Sequence, residues 1–547
     1  MRLEDLIRGM AIVDRRGHFD AEVRTITADS RKVGDGDVFV AIRGGQADGH
    51  GFIEPAVRQG AKVVIAEEWP EGMDESLGKK PNVVLVEDAR RALALTAANL
   101  FGEPSRDMVL GGVTGTNGKT TVTHVLDAVL SHAGKKTGVL GTVGARYPGK
   151  SLPLQHTTPD PLILQGILAK MLNEEVSHVV MEVSSHALDQ QRVGGVHFKV
   201  VGFTNLTQDH LDYHKNIDTY AAAKRRLFSE VLPASEVQGR MAVVNLDDPR
   251  GEEMAEAWGG KTLTVSLERG DADLFVSEVE YGLGGTRAVV ENAKGSWDLT
   301  VPLIGAHNLS NVMVAVGMAE AMGLSPSRIA EGLKRVAPVP GRLEPIENED
   351  DKRVFVDYAH TPDALDKVLA CLAPLTSERL IVVFGCGGDR DVEKRPLMAA
   401  AVARHAHVAV VTSDNPRSED PAEIASAVEL GLKEAGWSRF GTVVAPRTFA
   451  TELDRRKAIE LAVSWMEPGD VLVVAGKGHE RTQIIKDAER PFDDREETRR
   501  VLAGLPPAPP PPPIPPSDVE TAQVVDSVDI DPDIVDEESE KPPERDS

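Results

Sequence analysis

Cysteine is nearly absent from this 547-residue chain, which has two, Cys371 and Cys386. Two thiols build neither a disulfide framework nor a zinc site by themselves, so both read as small apolar fillers in a reducing compartment. Basic charge is short as well. Against 86 Asp and Glu stand 61 Lys and Arg, a net of −25, which excludes the basic face that non-specific nucleic-acid binding requires. Long apolar runs are also missing. No uncharged stretch approaches the roughly 20 residues that cross a bilayer, and Met1–Gly9 shows no apolar signal core. The expectation is a cytoplasmic protein with no nucleic-acid partner and no membrane insertion. Anionic substrates must then be met by local Lys and Arg and by helix N-termini.

The rest of the composition is ordinary for a globular chain, 41% hydrophobic and 27% charged, and the length points to roughly three or four domains. Residues 1–106 alternate apolar runs (Asp37–Ile42, Lys62–Ala66, Val83–Val86) with helical stretches such as Ala89–Leu100, a small α/β unit. Residues 107–338 continue the alternation, with strands expected at Thr137–Leu140, His178–Met181, Val200–Phe203 and Met241–Val244. Helices are expected there at Pro161–Leu172 and Thr219–Val231, then turn-separated β runs from Leu263 to Leu303 and helices at Asn308–Met322 and Ser325–Val336. Pro338-Val339-Pro340-Gly341-Arg342 is a boundary. Residues 339–504 are again α/β, with strands at Val354–Asp357, Leu380–Phe384, Val408–Thr412, Thr442–Val444 and Val471–Ala475. The fold class is α/β with parallel sheets, and ligands belong at the carboxyl ends of the strands. Residues 505–547 hold twelve acidic and two basic side chains, and nine prolines fall within 506–516. Such a segment buries too little apolar surface to fold and reads as a stiff spacer with a disordered acidic end, free to meet an unidentified protein partner.

The chain is organised around Gly111–Thr121. Apolar Met108–Leu110 precede it and a helical pattern, Val122–Leu130, follows. Strand, Gly-rich turn, Lys-Thr and helix form a phosphate cradle, in which backbone N–H groups approach phosphate oxygens, Lys119 supplies a point charge and the Thr120 hydroxyl can hold Mg²⁺. The generic Walker pattern wants Gly where Val113 stands, so the motif is the tighter Gly115-Thr116-Asn117-Gly118-Lys119-Thr120-Thr121.

Other strand ends carry hard ligands. His156-Thr157-Thr158 precedes a helix, Met181–His186 carries Glu182 and Ser184, and Asn205–His214 carries His210. Beside a phosphate cradle such groups suit Mg²⁺, with Glu182 and His210 as its candidate ligands. Lys224-Arg225-Arg226 lies on a helix and by spacing alone reads as a solvated face. Thr27–Arg31 and Gly44–Gly49 are polar segments beside strands, either plain turns or nucleotide-sugar loops. In the last unit, Asp414-Asn415-Pro416-Arg417, Gly476-Lys477-Gly478-His479-Glu480 and Gly385–Arg390 leave strands at one sheet edge. There Arg417, with Arg390 nearby, could fork onto a carboxylate, while Asp414 or Glu480 takes an ammonium, as the zwitterionic end of an amino acid requires.

These motifs, with Asp357-Tyr358-Ala359-His360-Thr361-Pro362-Asp363, resemble the Mur ligases of bacterial cell-wall synthesis over nearly everything to about residue 504. The resemblance implies a three-domain architecture: a UDP-binding α/β N-terminal domain, a central P-loop-type ATPase domain and a Rossmann-like amino-acid-binding C-terminal domain. It implies ATP as co-substrate, two Mg²⁺ ions and ligation of an amino acid to UDP-N-acetylmuramoyl-L-alanyl-D-glutamate. In that family Asp-Asn-Pro-Arg, as at Asp414–Arg417, goes with meso-diaminopimelate, whose extra carboxylate would pair Arg417. Lys224 matches a carbamylated lysine that binds metal, a role opposed to the solvated face. Ala28, Ser30, Gly45, Gln46 and Ala47 match uridine-binding loops. His156 (Asn in a relative), Thr157, Thr158, Ser184, Gln190 and Arg192 match the muramoyl-peptide site. Asn308, Arg342, Asp357 and His360 match nucleotide-handling positions, and Arg390, Gly476 and Glu480 the diaminopimelate pocket. A folylpolyglutamate synthetase, or a nucleotide-dependent switch working through the tail, are the alternatives.

Overall fold

The computed structural model describes residues 1–505 apart from 46, 78–79, 351, 442–444 and 487. The tail after 505, the expected strand at 442–444 and Gln46 therefore lie outside the described residues. Three main sheets organise the rest.

The first has five strands in the order Ile12–Arg16, Asn82–Val86, Val63–Ala66, Val38–Val40 and Ile26–Thr27, parallel except for Ile12–Arg16. Its helix Ala89–Leu100 begins where Asp88 Oδ1 accepts from the N–H groups of Arg90 and Arg91, at 2.9 and 3.0 Å, filling two donors that a helix start leaves open.

In the second sheet, eleven strands long, Val109–Thr114 sits between Val200–Phe203 and His178–Glu182. The strands from Leu274–Gly282 across to Thr137–Gly141 run parallel, and antiparallel hairpins finish both ends. The β runs after Leu263 are thus an extension of this sheet. Central strands such as His178–Glu182 are buried throughout, as expected when helices cover both faces. The helix expected to run unbroken to Val231 is α-helical over Ile217–Arg226 and then widens into a π turn at Leu227–Val231.

The third sheet has seven strands, with Arg353–Asp357, Val471–Ala475, Leu380–Phe384 and Val408–Val411 adjacent and parallel. Their carboxyl ends lie side by side, so the loops that follow share one edge. The hairpin Thr482–Ile485/Ala488–Pro491 leans on that edge, its Gln483 Nε2 donating to Asp414 O at 2.7 Å. The sheets are joined through packing. Gly195 lies against Ala94 and Ala98 of the first unit, and Gly305 against Cys371 of the third.

His178 opens its strand buried, with Nδ1 3.0 Å from Ser177 Oγ. Burial pushes its imidazole down to about 4, so it is neutral at pH 7. An unfolded imidazole titrates near ~6.5 and binds the extra proton first, so stability is lost as pH falls from about 6.5 toward 4. Thermal melts should show Tm falling over that window, and His178→Gln should flatten the fall.

Candidate functional site

The cradle forms as its sequence requires. Gly118 has φ +89° and directly precedes helix Lys119–His132; a Cβ there would run into the Asn311 side chain. The loop after Val200–Phe203 clamps the turn. Asn205 O accepts from Thr116 N at 2.8 Å and Asn205 Oδ1 from Asn117 N at 3.0 Å. Lys119 Nζ folds back onto the Gly115 and Thr116 carbonyls, at 2.8 and 2.9 Å. Burial lowers its pKa, with Glu182 and Asp209 opposing.

Glu182 ends its strand beneath this loop. It accepts from Thr120 Oγ1 at 2.9 Å, from Thr142 N at 2.9 Å and from Thr142 Oγ1 at 3.0 Å. Thr142, which no sequence motif marked, also reaches Thr157 Oγ1 at 3.2 Å. The Thr120 and Glu182 oxygens form a hard donor set suited to Mg²⁺. His210 belongs to a ring cluster that adjoins the cradle through Tyr220. Its φ is +53°, and its imidazole lies 5.0 Å from His186 and 6.1 Å from Tyr220, centroid to centroid. Among the described residues no group of three or more His, Cys, Asp or Glu is assembled to hold a metal.

Lys224 corrects the reading from spacing. It is 1% exposed, its Nζ donates to Gly115 O at 2.8 Å and sits 4.4 Å above the Tyr220 ring. Burial first, then the Lys119 charge, hold its pKa well below that of an ordinary lysine. The three cations are consecutive on one helix and point in different directions; the cradle covers Lys224 and leaves Arg225 outside.

The expected muramoyl-peptide residues are mostly contiguous. Thr158 is buried, its Oγ1 donating to Glu182 O at 2.9 Å and accepting from Ser184 N at 3.0 Å. Arg192 donates to Thr158 O at 2.9 Å and to Gln190 Oε1 at 2.8 Å. His156 is exposed. In the first unit Ala28, Gly45 and Ala47 are exposed and Ser30 half-buried. Their turns are closed locally, by Asp29 Oδ1 accepting from Arg31 N at 3.0 Å and by Ala47 O accepting from Gly44 N at 2.9 Å.

Between the second and third sheets, Asn117 Nδ2 approaches Asp363 Oδ2 at 3.4 Å. Arg342 stacks its guanidinium 4.6 Å from the Tyr358 ring centroid and acts electrostatically on both Lys119 and Asp357. Asp357 accepts from Leu343 N and Ala359 N at 2.6 and 2.7 Å; burial still raises its pKa. His360 Nδ1 lies 2.8 Å from Tyr358 O, and buried Asn308 donates to Ile304 O at 2.9 Å.

The loops of the third sheet converge as their strand order dictates. Asn415 Nδ2 donates to Glu480 Oε2 at 3.0 Å, and Tyr358 OH lies 3.4 Å from Glu480 Oε1. Arg417 Nη1 donates to Gly388 O at 2.8 Å, and a Cβ on Gly387 would touch both Arg417 and Arg390. Gly476, at φ +120°, faces Asp414 Oδ2 so closely that a Cβ would crowd it. These loops are supported by buried Lys477, which stands in its sequence motif without an assigned role, and by the pair Arg455–Asp494, which no motif marks. The pair is 39 residues apart, and no local pattern links such positions.

Three α/β units, the middle one carrying a phosphate-type loop and the last a pocket with charges of both signs, define a multidomain nucleotide-binding architecture. Family models match each unit: the "Mur ligase family, catalytic domain" over residues 22–100, the "Mur ligase middle domain" over 113–319 and the "Mur ligase, glutamate ligase domain" over 341–478. The chain belongs to the Mur ligase family. The UDP-N-acetylmuramoyl-L-alanyl-D-glutamate–2,6-diaminopimelate ligase of Syntrophomonas wolfei is 41% identical over 504 residues, covering 92% of this chain and 99% of its own. A solved structure of a ligase with that name matches at 33% identity and TM-score 0.67, over 92% of this chain and 99% of its own. Mycobacterium tuberculosis folylpolyglutamate synthase complexed with ADP shares the fold at 22% identity and TM-score 0.57, over 71% of this chain and 91% of its own.

Proposed function

We propose that this chain is the cytoplasmic, ATP-dependent ligase that joins meso-diaminopimelate to UDP-N-acetylmuramoyl-L-alanyl-D-glutamate in peptidoglycan precursor synthesis. The observation that carries this reading is the run of contacts from Arg342, whose charge also acts on Lys119, through Tyr358 to Glu480, Asn415 and Arg417. It supports one reaction path running from a triphosphate loop to an amino-acid pocket.

A carboxylate does not acylate an amine at neutral pH because oxide is too poor a leaving group. An oxygen of the D-glutamate side-chain carboxylate therefore attacks the ATP γ-phosphorus, ADP leaves, and an acyl phosphate forms. The diaminopimelate amine attacks the acyl carbon, its proton is lost, and the carbon–oxygen bond to phosphate breaks. Lys119 releases the loop carbonyls to neutralise phosphate oxygens, and Gly115–Thr121 wrap the triphosphate. Arg342, Asn308, Asp357 and His360 orient the nucleotide. Thr157, Thr158, Ser184, Gln190 and Arg192, with His156, hold the peptide, while Ala28, Ser30, Gly45, Gln46 and Ala47 hold uridine. Thr120 and Glu182, with His210 and a carbamate on Lys224, would hold two Mg²⁺ ions, which supply charge neutralisation to the phosphoryl groups. The domain limits we assign are 1–106, 107–338 and 339–504, with closure about Pro338–Arg342 bringing the last two together.

Phosphate release with the UDP-muramoyl-dipeptide and ATP tests the reading. It should be fast with meso-diaminopimelate, slow with L-lysine and negligible without an amine. A lysine preference would remove the pocket assignment, and acceptor-free hydrolysis would favour a nucleotide switch.

A further inference from the structure

The groups flanking the acceptor pocket sort by charge. Arg455 and Asp494 are both fully buried and paired at 2.7 and 2.6 Å. The same guanidinium donates to Ser413 O at 3.3 Å and Ala475 O at 2.9 Å, the residues just before Asp414 and Gly476. This pair is closed and fixes the spacing of two strand ends.

Lys477 is also fully buried, and its Nζ donates to Glu480 Oε2 at 2.8 Å and Asn415 Oδ1 at 3.1 Å. Ile484 N donates to the same Asn415 Oδ1 at 3.0 Å. With two donors on its oxygen, the Asn415 amide has one orientation, and its Nδ2 must face Glu480, where it sits at 3.0 Å. Glu480 Oε2 thus receives an ammonium and an amide, while among the described residues Oε1 has only the long approach of Tyr358 OH. A lone ammonium in this setting would be costly, so Lys477 and Glu480 form a second closed pair. That leaves Asp414, whose buried Oδ2 lacks a hydrogen-bond partner among the described residues, and Arg417 further along the same loop.

Resting on the proposed ligase function, we infer that Lys477 is a positioning residue for acceptor binding: by neutralising Glu480 and orienting Asn415, it leaves Asp414 as the carboxylate open to the acceptor's ammonium. Without Lys477, Glu480 would present a second uncompensated charge in the pocket and compete for that ammonium in the wrong place.

Steady-state kinetics on the full chain test this. Lys477→Met should raise KM for meso-diaminopimelate by about tenfold or more, the scale expected when a buried charge pair loses one partner. KM for ATP and for the UDP-muramoyl-dipeptide should stay within about twofold. Because the effect runs through Glu480, Lys477→Met/Glu480→Gln should have the same acceptor KM as Glu480→Gln alone. The double variant removes both charges of the pair, so it carries the test even if the single variant is insoluble. Equal losses in all three KM values with a lower Tm, or a double variant clearly worse than Glu480→Gln, would overturn the inference in favour of a merely structural lysine. A wild-type chain that releases no phosphate with meso-diaminopimelate sinks the ligase reading instead; an active wild type with an unmoved acceptor KM in Lys477→Met sinks this inference alone.

Discussion

Lys224→Ala is expected to lower kcat by about 10³ or more, the loss typical of deleting one preorganised electrostatic group from a reacting centre. An ammonium sealed beneath a phosphate loop, over the Tyr220 ring and near Lys119, sits where positive charge is least tolerated by burial. The physical consequence is a lysine that gives up its proton more readily than an ordinary one, and the neutral amine is the form that adds CO₂. The carbamate would carry a negative charge and two oxygens beside the cradle. Substitutions separate this account from a plain cationic role. Lys224→Glu should recover part of the activity lost in Lys224→Ala, because it returns an anionic oxygen. If Lys224 acts as a cation, Lys224→Arg should be the better variant and Lys224→Glu the worst. Depleting CO₂ should slow the wild type and leave Lys224→Glu unaffected; equal sensitivity in both would remove the carbamate. KM for ATP should change little, since Lys119 and the loop backbone remain.

Much of this arrangement is legible in the sequence. Leu380–Phe384, Val200–Phe203 and Val471–Ala475 end where their unbroken runs of uncharged, mostly apolar residues end, because strands covered on both faces must be apolar throughout. The cradle was legible because Gly118 and Lys119 do their work within one turn. Lys224 was misjudged by spacing because a helix pattern reports which residues share a face, not what comes to rest on it. Only the fold supplies that, by running Gly115–Asn117 across the helix that starts at Ile217. Thr142, Lys477 and the Arg455–Asp494 pair escaped for the same reason. Each acts through at least one partner distant in the chain, and the hydrogen bonds that give them meaning span 3 to 62 residues without any recurring offset.

Arg417→Ala should lower kcat/KM for meso-diaminopimelate by about 10³, or roughly 4 kcal/mol, within the range for truncating one partner of a desolvated charge pair. The backbone makes this substitution unusually clean. Arg417 has φ +52°, and its N–H and C=O are pinned to the hairpin, donating to Ile484 O at 3.1 Å and accepting from Lys486 N at 2.6 Å. Arg already bears the cost of a left-handed Cβ, so Ala adds none and only the guanidinium is removed. That guanidinium spends Nη1 on Gly388 O and has further donors in a planar fork, which suits the second carboxylate that distinguishes diaminopimelate from lysine. Discrimination between the two acceptors should therefore collapse, chiefly by loss of the preferred one, while KM for ATP holds. Arg417→Lys should recover little, since a point charge cannot bond Gly388 and grip a carboxylate in a fork at once. An Arg417→Ala enzyme that still prefers meso-diaminopimelate over L-lysine by the wild-type ratio would show that selectivity resides elsewhere, with Arg390 the next residue to remove.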